Sequence, residues 1–414
     1  MQKLGSFFAA IMLLLVIGSC SEEKSVDKPP VNVPGPVTAA ESKLVAAGNE
    51  FTWNLLREVV ESEASQPNKN IFISPLSASM ALGMTYNGAR NTTQTAMMST
   101  LGFVDLSSQE INESYRSLID RFSGLDSNVK FQIANSIWHA DWFQVESEFL
   151  DVNRTYFDAV VSALDFGSPQ AVTTINNWVN DKTNGKIDTI IEEIPDDVVM
   201  YLINALYFKG AWTYQFDPSK TRPMNFNCAD GTTHSCKFMY MNTDSLRFMM
   251  NAGVMGVELP YGNGDYRLLA AIPVDPATSI DAVIAGLDQT KWSEWQSALV
   301  QRNEELWIPK FKFEFETKLN VPLTTLGMGI AFSDVADFRG INRDGNLAIS
   351  EVIQKTFVQL DEVGTEAAAV TSVGIELTSF TPPYRFDRPF LIVIYEHNTN
   401  AIIFAGKIAK PEFN

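Results

Sequence analysis

The chain has 414 residues, of which 45% are hydrophobic and 19% charged, a composition typical of a globular protein with a sizeable core. At about 100–200 residues per domain, the length predicts two or three domains. A net charge of -18 without any cluster of Lys and Arg argues against nucleic acid as a partner, and three dispersed histidines argue against a metal cofactor.

The first 19 residues have the pattern of a secretory signal peptide. Lys3 provides positive charge, and the apolar run over residues 7–17 is shorter than the helix of about 20 residues that spans a membrane. The sequence IGSC at residues 17–20 resembles a bacterial lipobox, in which the cysteine is diacylated and becomes the mature N-terminus. An ordinary signal peptide with a spare cysteine is the alternative. We expect export across the inner membrane and anchoring through Cys20 to the outer membrane, on the cell surface or the periplasmic face.

A polar stretch over residues 20–42 contains four prolines and is predicted to be an extended tether. At about 3.1 Å per residue, such a tether holds a folded domain several tens of Å from a bilayer. The acidic residues directly after Cys20 resemble the surface-export signals of some Gram-negative lipoproteins.

Helices are predicted where apolar residues recur at helical spacing. The first covers residues 44–63. A strand-like run at residues 70–73 precedes Ser74, which can cap a helix, and Pro75, which fits the first helical turn; this helix continues over residues 76–87. Further helices are predicted over residues 144–157 and 171–183.

Strand-like runs follow at residues 199–209, 257–261 and 266–273. Residues 305–315 alternate between apolar and charged side chains, which predicts one strand with a single buried face. Residues 388–395 form a continuous apolar run, typical of a strand that is covered on both faces. Together, the predicted helices and strands indicate an α+β protein.

Common catalytic motifs, including GxGxxG, GxxxxGK[ST], GxSxG and HExxH, do not occur. Acidic pairs such as Glu192-Glu193 and Asp196-Asp197 on polar loops are typical of solvated charges rather than of glycosidase carboxylates. We therefore expect neither an enzyme nor a cofactor.

Two cysteines, Cys228 and Cys236, bracket a turn-rich stretch in a chain whose predicted export permits disulfides. A hairpin disulfide and two free thiols are both compatible with the sequence, because an Asp-Gly turn would pair Cys228 with Thr233 rather than with Cys236.

The most unusual segment is EVGTEAAAVTSVGIELTS at residues 362–379. Every second side chain from Thr365 onward is small at first and apolar later, and the side chains in between are more polar. This alternation fits a strand in a half-buried sheet. Small residues and glycines nucleate strands poorly, and Pro382-Pro383 ends the segment. A segment that can be either a loop or a strand suits a conformational switch.

Five separated motifs resemble those of the serpin family, and the resemblance covers about residues 44–411. They are NIFISPLS at residues 70–77, NALYFKGAW at 204–212, IPKF at 308–311, GTEAAA at 364–369 and FDRPF at 386–390. The resemblance implies a single α+β domain over residues 43–414, with a large mixed β-sheet A, two further sheets, about nine helices and an exposed reactive-centre loop.

The resemblance also implies a suicide inhibitor of serine proteases, with cysteine proteases as a second class of target. A protease cleaves the exposed loop and is acylated; the loop then inserts into sheet A and traps the protease. The family's loop hinge corresponds to Glu362, Gly364, Thr365, Glu366, Ala367, Ala368 and Ala369. Spacing from the hinge and from the FDRPF motif places the scissile bond at Thr378–Ser379, with Leu377 and Phe380 as alternative cleavage points.

Thr378 resembles what elastase-like and other small-pocket serine proteases accept, and Leu377 and Phe380 would suit subtilisin-like, cathepsin-like or chymotrypsin-like enzymes. The loop offers no basic side chain to a trypsin-like enzyme, so elastase-like or subtilisin-like targets are favoured. The expected partner is therefore such a protease, in covalent complex with a monomeric inhibitor. A non-inhibitory serpin, acting as a binding protein or a protease substrate, is the alternative, although bulky or proline residues in the hinge, its usual sign, are missing.

Further residues match places where the family opens its sheet. Glu362 and Lys310 fall where the family often has an ion pair, near Trp212. We expect this ion pair to be partly exposed and to contribute about 0–1 kcal/mol to stability. Ser74, Ser77 and Asn204 match a polar cluster beneath the sheet, where Gln354 replaces a frequent histidine. An amide can still bridge these groups but does not titrate.

Overall fold

The computed structural model describes residues 35–365 and 383–413, which belong to one compact unit. Nine α-helices lie in these ranges: α1 (Ala39–Ser62), α2 (Pro75–Tyr86), α3 (Asn91–Thr100), α4 (Ser108–Phe122), α5 (Ser147–Phe157), α6 (Pro169–Lys182), α7 (Ile280–Ala285), α8 (Gln289–Ala298) and α9 (Asn320–Leu323). Within the same ranges, none of the helices has the length and apolarity that crossing a membrane requires.

The strands of the described residues are β1 (Ile71–Ile73), β2 (Val129–Ala140), β3 (Val160–Leu164), β4 (Met200–Ala211), β5 (Arg222–Asn227), β6 (Thr233–Thr243), β7 (Arg247–Asn251), β8 (Val254–Tyr261), β9 (Tyr266–Pro273), β10 (Val300–Gln301), β11 (Glu304–Pro309), β12 (Phe311–Lys318), β13 (Ile353–Leu360), β14 (Gly364–Thr365), β15 (Tyr384–Arg385), β16 (Phe390–Glu396) and β17 (Ile402–Ile408).

These strands form three sheets. Sheet A has six strands in the order β12-β13-β14-β4-β2-β3, and the others have the orders β15-β11-β6-β5 and β1-β17-β16-β9-β8-β7-β10. Sheet A is mixed, because β2 and β3 are parallel whereas its other neighbouring strands are antiparallel. The expected α+β architecture, with one large sheet and two further sheets, is confirmed.

The core lies against the seven-stranded sheet, in which β16 and β17 are buried along their whole length. This burial explains the continuous apolar run predicted as a strand covered on both faces. The rings of Phe72 and Phe404 stack in this core with centroids 4.9 Å apart. Trp53, Leu55 and Leu56 of helix α1 are completely buried.

Capping residues set the helix starts. The Ser74 side chain accepts a hydrogen bond from the Ser77 N–H, and Pro75 opens α2, as the sequence predicts. Helix α1 begins earlier than its apolar periodicity indicates, because Thr38 and Glu41 form a capping box. The folded structure therefore starts inside the stretch predicted as a tether.

The prediction of one strand over residues 305–315 was wrong. The chain leaves the four-stranded sheet at Pro309, the end of β11, and enters sheet A at Phe311, the start of β12. Between them, the Lys310 N–H donates to the Lys237 carbonyl at 2.9 Å. The alternation of side chains continues across this junction, so the pattern alone could not reveal the change of sheet.

Candidate functional site

Strand β14 enters sheet A between β4 and β13. Gly364 lies opposite Ala211, and Thr365 lies opposite Gly210 on one side and Leu360 on the other. A Cβ atom on Gly364 would lie 2.1 Å from the Gly210 carbonyl oxygen, so only glycine fits this approach. Two residues of the loop hinge, Gly364 and Thr365, are thus paired as a strand.

Thr365 is buried, and its Oγ1 forms a 2.6 Å hydrogen bond with the Tyr261 hydroxyl. The Tyr261 ring stacks on Trp212, with centroids 4.4 Å apart and planes 20° from parallel. Trp212 in turn donates from its backbone N–H to the Val363 carbonyl at 2.8 Å and from Nε1 to the Asp361 carbonyl at 2.9 Å. Two buried aromatic residues therefore hold the turn between β13 and β14.

The expected ion pair at this entrance is present. Lys310 Nζ lies 2.7 Å from Glu362 Oε2, and the Thr221 hydroxyl donates to Glu362 Oε1 at 2.8 Å. The pair is less exposed than expected, with 14% and 11% of the two side chains accessible, so the surface value of 0–1 kcal/mol does not apply to it. Burial raises the pKa of the Glu362 carboxyl, but hydrogen bonds from Lys310 and Thr221 outweigh burial and leave this pKa below its ordinary value.

The polar cluster beneath the sheet assembles partly as expected. Gln354 bridges to the backbone of Ser74, accepting from its N–H at 3.0 Å and donating to its carbonyl at 2.7 Å. Ser77 joins through its N–H to the Ser74 hydroxyl at 3.4 Å. Asn204 instead donates to Asn135 at 2.7 Å, and its own buried Oδ1 has no partner among the described residues.

We call the part of sheet A that lies between β4 and β13 beyond Thr365 the slot. Within the described residues, β14 is the neighbour of both strands, and no hydrogen-bonded ladder joins β4 directly to β13. The slot contains a cavity of about 280 Å³ lined by both strands and by α2. Ser74, Asn204 and Gln354 line it, so the polar cluster forms part of its floor.

A segment over residues 183–198, the connector, covers the slot. On one side, Asn184 Nδ2 donates to Gln132 of β2 at 3.0 Å. On the other side, the Lys186 ammonium lies 4.9 Å from the centre of the Phe357 ring, and Lys355 Nζ donates to the Thr189 carbonyl at 3.1 Å. The connector thereby bridges β2 and β13, which lie on opposite sides of the slot.

Several predicted residues lie outside the described ranges. They are the hinge residues Glu366, Ala367, Ala368 and Ala369, the cleavage candidates Leu377, Thr378, Ser379 and Phe380, and the lipidation site Cys20. Of the two alternatives for the cysteines, the structure has free thiols. Cys236 lies opposite Met224 in the hairpin, whereas the Cys228 N–H bonds to the Thr232 carbonyl at 2.8 Å, so the register separates the two residues.

Sequence reasoning missed Tyr261, Asp361 and Phe413. Asp361 Oδ1 accepts from the Val363 N–H at 3.0 Å and closes the turn before β14. The Phe413 ring lies 4.3 Å from the Lys310 ammonium and caps the ion pair. Since Phe413 and Tyr261 are far from the hinge along the chain, no local pattern could assign them to this site.

Comparison with known proteins identifies the family. A family model described as Serpin (serine protease inhibitor) matches residues 46–411. Iripin-3 of Ixodes ricinus is 33% identical over 380 residues, covering 89% of this chain and 95% of that protein. An uncharacterized serpin-like protein of Methanosarcina mazei is 30% identical, covering 100% of this chain and 99% of its own length.

Comparison with solved structures points to the same family. Tengpin, a thermophilic serpin in its native state, superposes with a TM-score of 0.80 at 33% identity, covering 89% of this chain and 94% of its own. Human thyroxine-binding globulin in complex with its ligand gives a TM-score of 0.81 at 29% identity, covering 91% and 100%. The chain therefore belongs to the serpin family.

Proposed function

We propose that this protein is a single-turnover inhibitor of serine proteases, with Thr378–Ser379 as its scissile bond. The observation that carries the proposal is the slot, with the hinge residues Gly364 and Thr365 paired at its entrance. If the antiparallel register continued, residues 366–372 would lie between residues 209–203 of β4 and 359–353 of β13. The backbone groups that face the slot would then gain partners, which favours insertion.

The proposed chemistry is an interrupted proteolysis. The protease serine Oγ attacks the Thr378 carbonyl carbon, the ester C–O bond forms, the C–N bond to Ser379 breaks, and the serine proton passes to the new amino group. Thirteen residues at about 3.3 Å each would then carry the ester about 43 Å from Thr365. Hydrolysis of the ester requires an accurately placed oxyanion hole and triad, so deformation of the protease would stall it.

Incubation with an elastase and a denaturing gel test the proposal. We expect a band at the summed mass of the two proteins, stable to denaturant. Mass spectrometry of the released fragment should find Ser379 as its first residue; a fragment beginning at Thr378 or Thr381 would instead assign cleavage after Leu377 or Phe380. Absence of the covalent band with elastase, subtilisin and chymotrypsin alike would contradict the proposal.

Replacement of the buried hinge residue tests whether insertion is required. Thr365→Arg places a long cation where the native side chain is 4% exposed and bonded to Tyr261, so the loop should be cleaved without trapping the protease. The exposed Thr95→Arg is the matched control and should form the complex normally. An undiminished covalent band with Thr365→Arg would show that insertion does not proceed through this entrance.

A second candidate function is non-inhibitory binding, favoured by the similarity to thyroxine-binding globulin, whose structure carries its ligand. The same gel distinguishes the two functions, since a non-inhibitory member should be cleaved, or left intact, without a covalent band.

We also propose that Cys20 carries the lipid anchor, on the evidence of the lipobox-like sequence at residues 17–20. Cys20→Ser should move the protein from the membrane pellet to the soluble fraction of the exporting cell. Protease treatment of intact cells should digest the wild-type protein if it faces outward and spare it if it faces the periplasm. Recovery of Cys20→Ser in the pellet would contradict lipid anchoring.

A further inference from the structure

Strand β3 forms one edge of sheet A. Among the described residues its only strand neighbour is β2, which it meets in parallel register. The Asp141 N–H donates to the Leu164 carbonyl at 2.9 Å, so the backbone polar groups of Leu164 point towards β2. Because these groups alternate sides along a strand, those of Val161 and Ala163 point away from the sheet. The N–H and C=O groups of these two residues are therefore open to an additional strand.

The side chains of β3 do not block this edge. Its sequence, VVSAL at residues 160–164, has neither a charged residue nor a proline, and Val160 is 45% exposed. The other edge strands of the described residues are protected. Strands β1, β10 and β15 have only two or three residues, and β5 contains Arg222 and Pro223. The opposite edge of sheet A, β12, carries four exposed charged side chains, Lys312, Glu314, Glu316 and Lys318. Such features keep sheet edges from pairing with other chains, so their absence leaves β3 able to pair.

Carboxylates flank the uncharged edge. Asp158 lies just before β3 and Asp165 directly after it, and both are exposed. Arg116 lies 3.6 Å from Asp158, but it also pairs with Asp120, so the carboxylates outnumber the cation. An added strand would be attracted by basic side chains at both of its ends.

An exposed aromatic ring lies at the carboxyl end of the same edge. Trp142 is 68% exposed and directly follows Asp141, whose N–H makes the bond to β3 described above. The Trp142 ring meets the Phe143 ring edge to face, with centroids 6.2 Å apart, and Phe143 packs against the core. An ordered turn thus presents an apolar contact surface beside the open strand.

A second copy of this chain is a poor match for the edge. In a two-fold antiparallel pairing of two β3 strands, Val161 of one copy would lie opposite Ala163 of the other. The same register would place Asp165 of each copy next to Asp158 of the other. Like charges at such positions are destabilising, and the net charge of -18 on each copy adds to the repulsion.

We propose that β3 is a docking site for an extended segment of a partner protein, which adds a strand to sheet A by hydrogen bonding to Val161 and Ala163. The segment is uncharged and rich in β-branched residues at its centre, with a lysine or arginine at each end. The step from Asp158 to Asp165 spans about 23 Å of extended chain, so the two basic residues are about seven positions apart. Docking at β3 requires neither cleavage nor insertion of the loop, so it goes beyond the proposed function.

A designed peptide tests the proposal. The end-capped peptide KTVTVTVK is titrated into the full chain by isothermal titration calorimetry, and ETVTVTVE, with the same centre and reversed end charges, is the control. We expect the lysine peptide to bind about tenfold or more tightly than the glutamate peptide at low salt. Hydrogen exchange at the Val161 and Ala163 amides should slow when it binds. No binding and no protection at about 1 mM lysine peptide would overturn the proposal.

Substitution of one open residue locates the contact. Ala163→Pro removes an outward N–H, which an edge strand tolerates, and should weaken binding of the lysine peptide about tenfold or more. Ala163→Ser keeps the N–H and should bind as the wild type does. Thermal unfolding checks that both variants fold. Unchanged binding to a folded Ala163→Pro variant would overturn the proposal, because the contact would then lie elsewhere.

Two further measurements keep the outcome decisive. If Ala163→Pro does not fold, the double variant Asp158→Asn, Asp165→Asn replaces it, and the lysine peptide should lose its advantage over the glutamate peptide. An undiminished advantage in the double variant would overturn the proposal. Sedimentation velocity of the protein alone should show no dimer that depends on β3. A dimer that Ala163→Pro or the alternative edge variant Val160→Lys abolishes would assign the edge to a second copy, and would overturn the proposal as well.

Discussion

At the entrance of sheet A, the Glu362 carboxylate accepts hydrogen bonds from Lys310 and Thr221 while 11% of its side chain is exposed. Removing one member of a buried pair leaves the other charge without its partner, which costs more than losing an exposed pair. The Phe413 ring over the Lys310 ammonium shields the pair further from water. This cluster ties the loop hinge to the junction between β11 and β12.

Glu362→Gln should lower the free energy of unfolding by about 2 kcal/mol, because Lys310 would remain buried without a counter-charge. Chemical denaturation of the loop-intact protein measures the difference. Glu351→Gln is the matched control, since the Glu351–Lys318 pair is largely exposed and should contribute less than about 0.5 kcal/mol. Equal effects of the two variants would contradict the role assigned to the entrance pair.

The pH dependence of the Glu362 contribution has a defined sign. Because hydrogen bonds lower the pKa of Glu362 in the folded protein, its contribution to stability is fully present above the ordinary pKa of 4.5 and is lost as the pH falls through the folded value. The stability difference between wild type and Glu362→Gln should be constant from pH 7 to pH 5 and should shrink below pH 4.5. A difference that grows on acidification would contradict this assignment.

Two glycines should respond in opposite directions to alanine. Gly364→Ala should destabilise the protein by about 1–3 kcal/mol, since its Cβ would meet the Gly210 carbonyl oxygen at 2.1 Å and force β14 out of the entrance. Gly48→Ala, in α1 with nothing within 4 Å of the new Cβ, should stabilise it by up to about 1 kcal/mol. Thermal unfolding of both variants tests whether Gly364→Ala lowers the stability and Gly48→Ala raises it.

Among the elements, the connector is the one whose position bears most on insertion. Ile187 and Ile191 lie over the cavity of the slot, and Lys186 reaches the Phe357 ring of β13 on its far side. If the loop inserts as proposed, it must pass beneath this segment, and the contacts of the connector with β13 should then oppose insertion.

Lys186→Gln should accelerate insertion by about two- to fivefold, which corresponds to the loss of a cation–π contact worth about 0.5–1 kcal/mol. The rate of covalent complex formation at saturating protease, followed by quenched flow and gel analysis, measures this step. Lys182→Gln, whose side chain pairs with the exposed Asp181 on α6, is the control and should leave the rate unchanged. A slower rate for Lys186→Gln would contradict a restraining connector.

Sequence patterns predicted the elements with strong local signals. The strand over residues 266–273 and the start of α2 at Ser74 and Pro75 are confirmed, because apolar runs and capping residues act within a few positions. The alternation over residues 305–315 led to a wrong prediction of one strand, because the same side-chain pattern runs through two strands that belong to different sheets. The entrance pair could be named only through the family resemblance, because 52 residues separate its members.

For the whole molecule, the proposed function makes the slot the place that the cleaved loop would fill. Its cavity of about 280 Å³ is partly open to solvent and is lined by both apolar and polar groups. An inserted strand would bury the apolar part of this lining and pair backbone groups of β4 and β13, so we expect the cleaved protein to be more stable than the uncut one.

Cleavage of the loop by a protease that is not trapped should therefore raise the melting temperature by at least several degrees, as the inserted strand fills the slot. Calorimetry of intact and cleaved protein measures the change. The cleaved Thr365→Arg variant is the control and should gain little, because its loop cannot enter. An unchanged melting temperature in the cleaved wild type would contradict insertion.

The sequence by itself determined the α+β class, the buried strands and the hinge motif, because composition, periodicity and capping are local properties of a chain. Only the tertiary structure decided that Glu362 and Lys310 are buried together, that Cys228 and Cys236 are free thiols, and that β14 pairs with both β4 and β13 at the head of the slot. These features depend on the register between strands that are distant along the chain, and register is fixed by the packing of whole sheets rather than by any short stretch of residues.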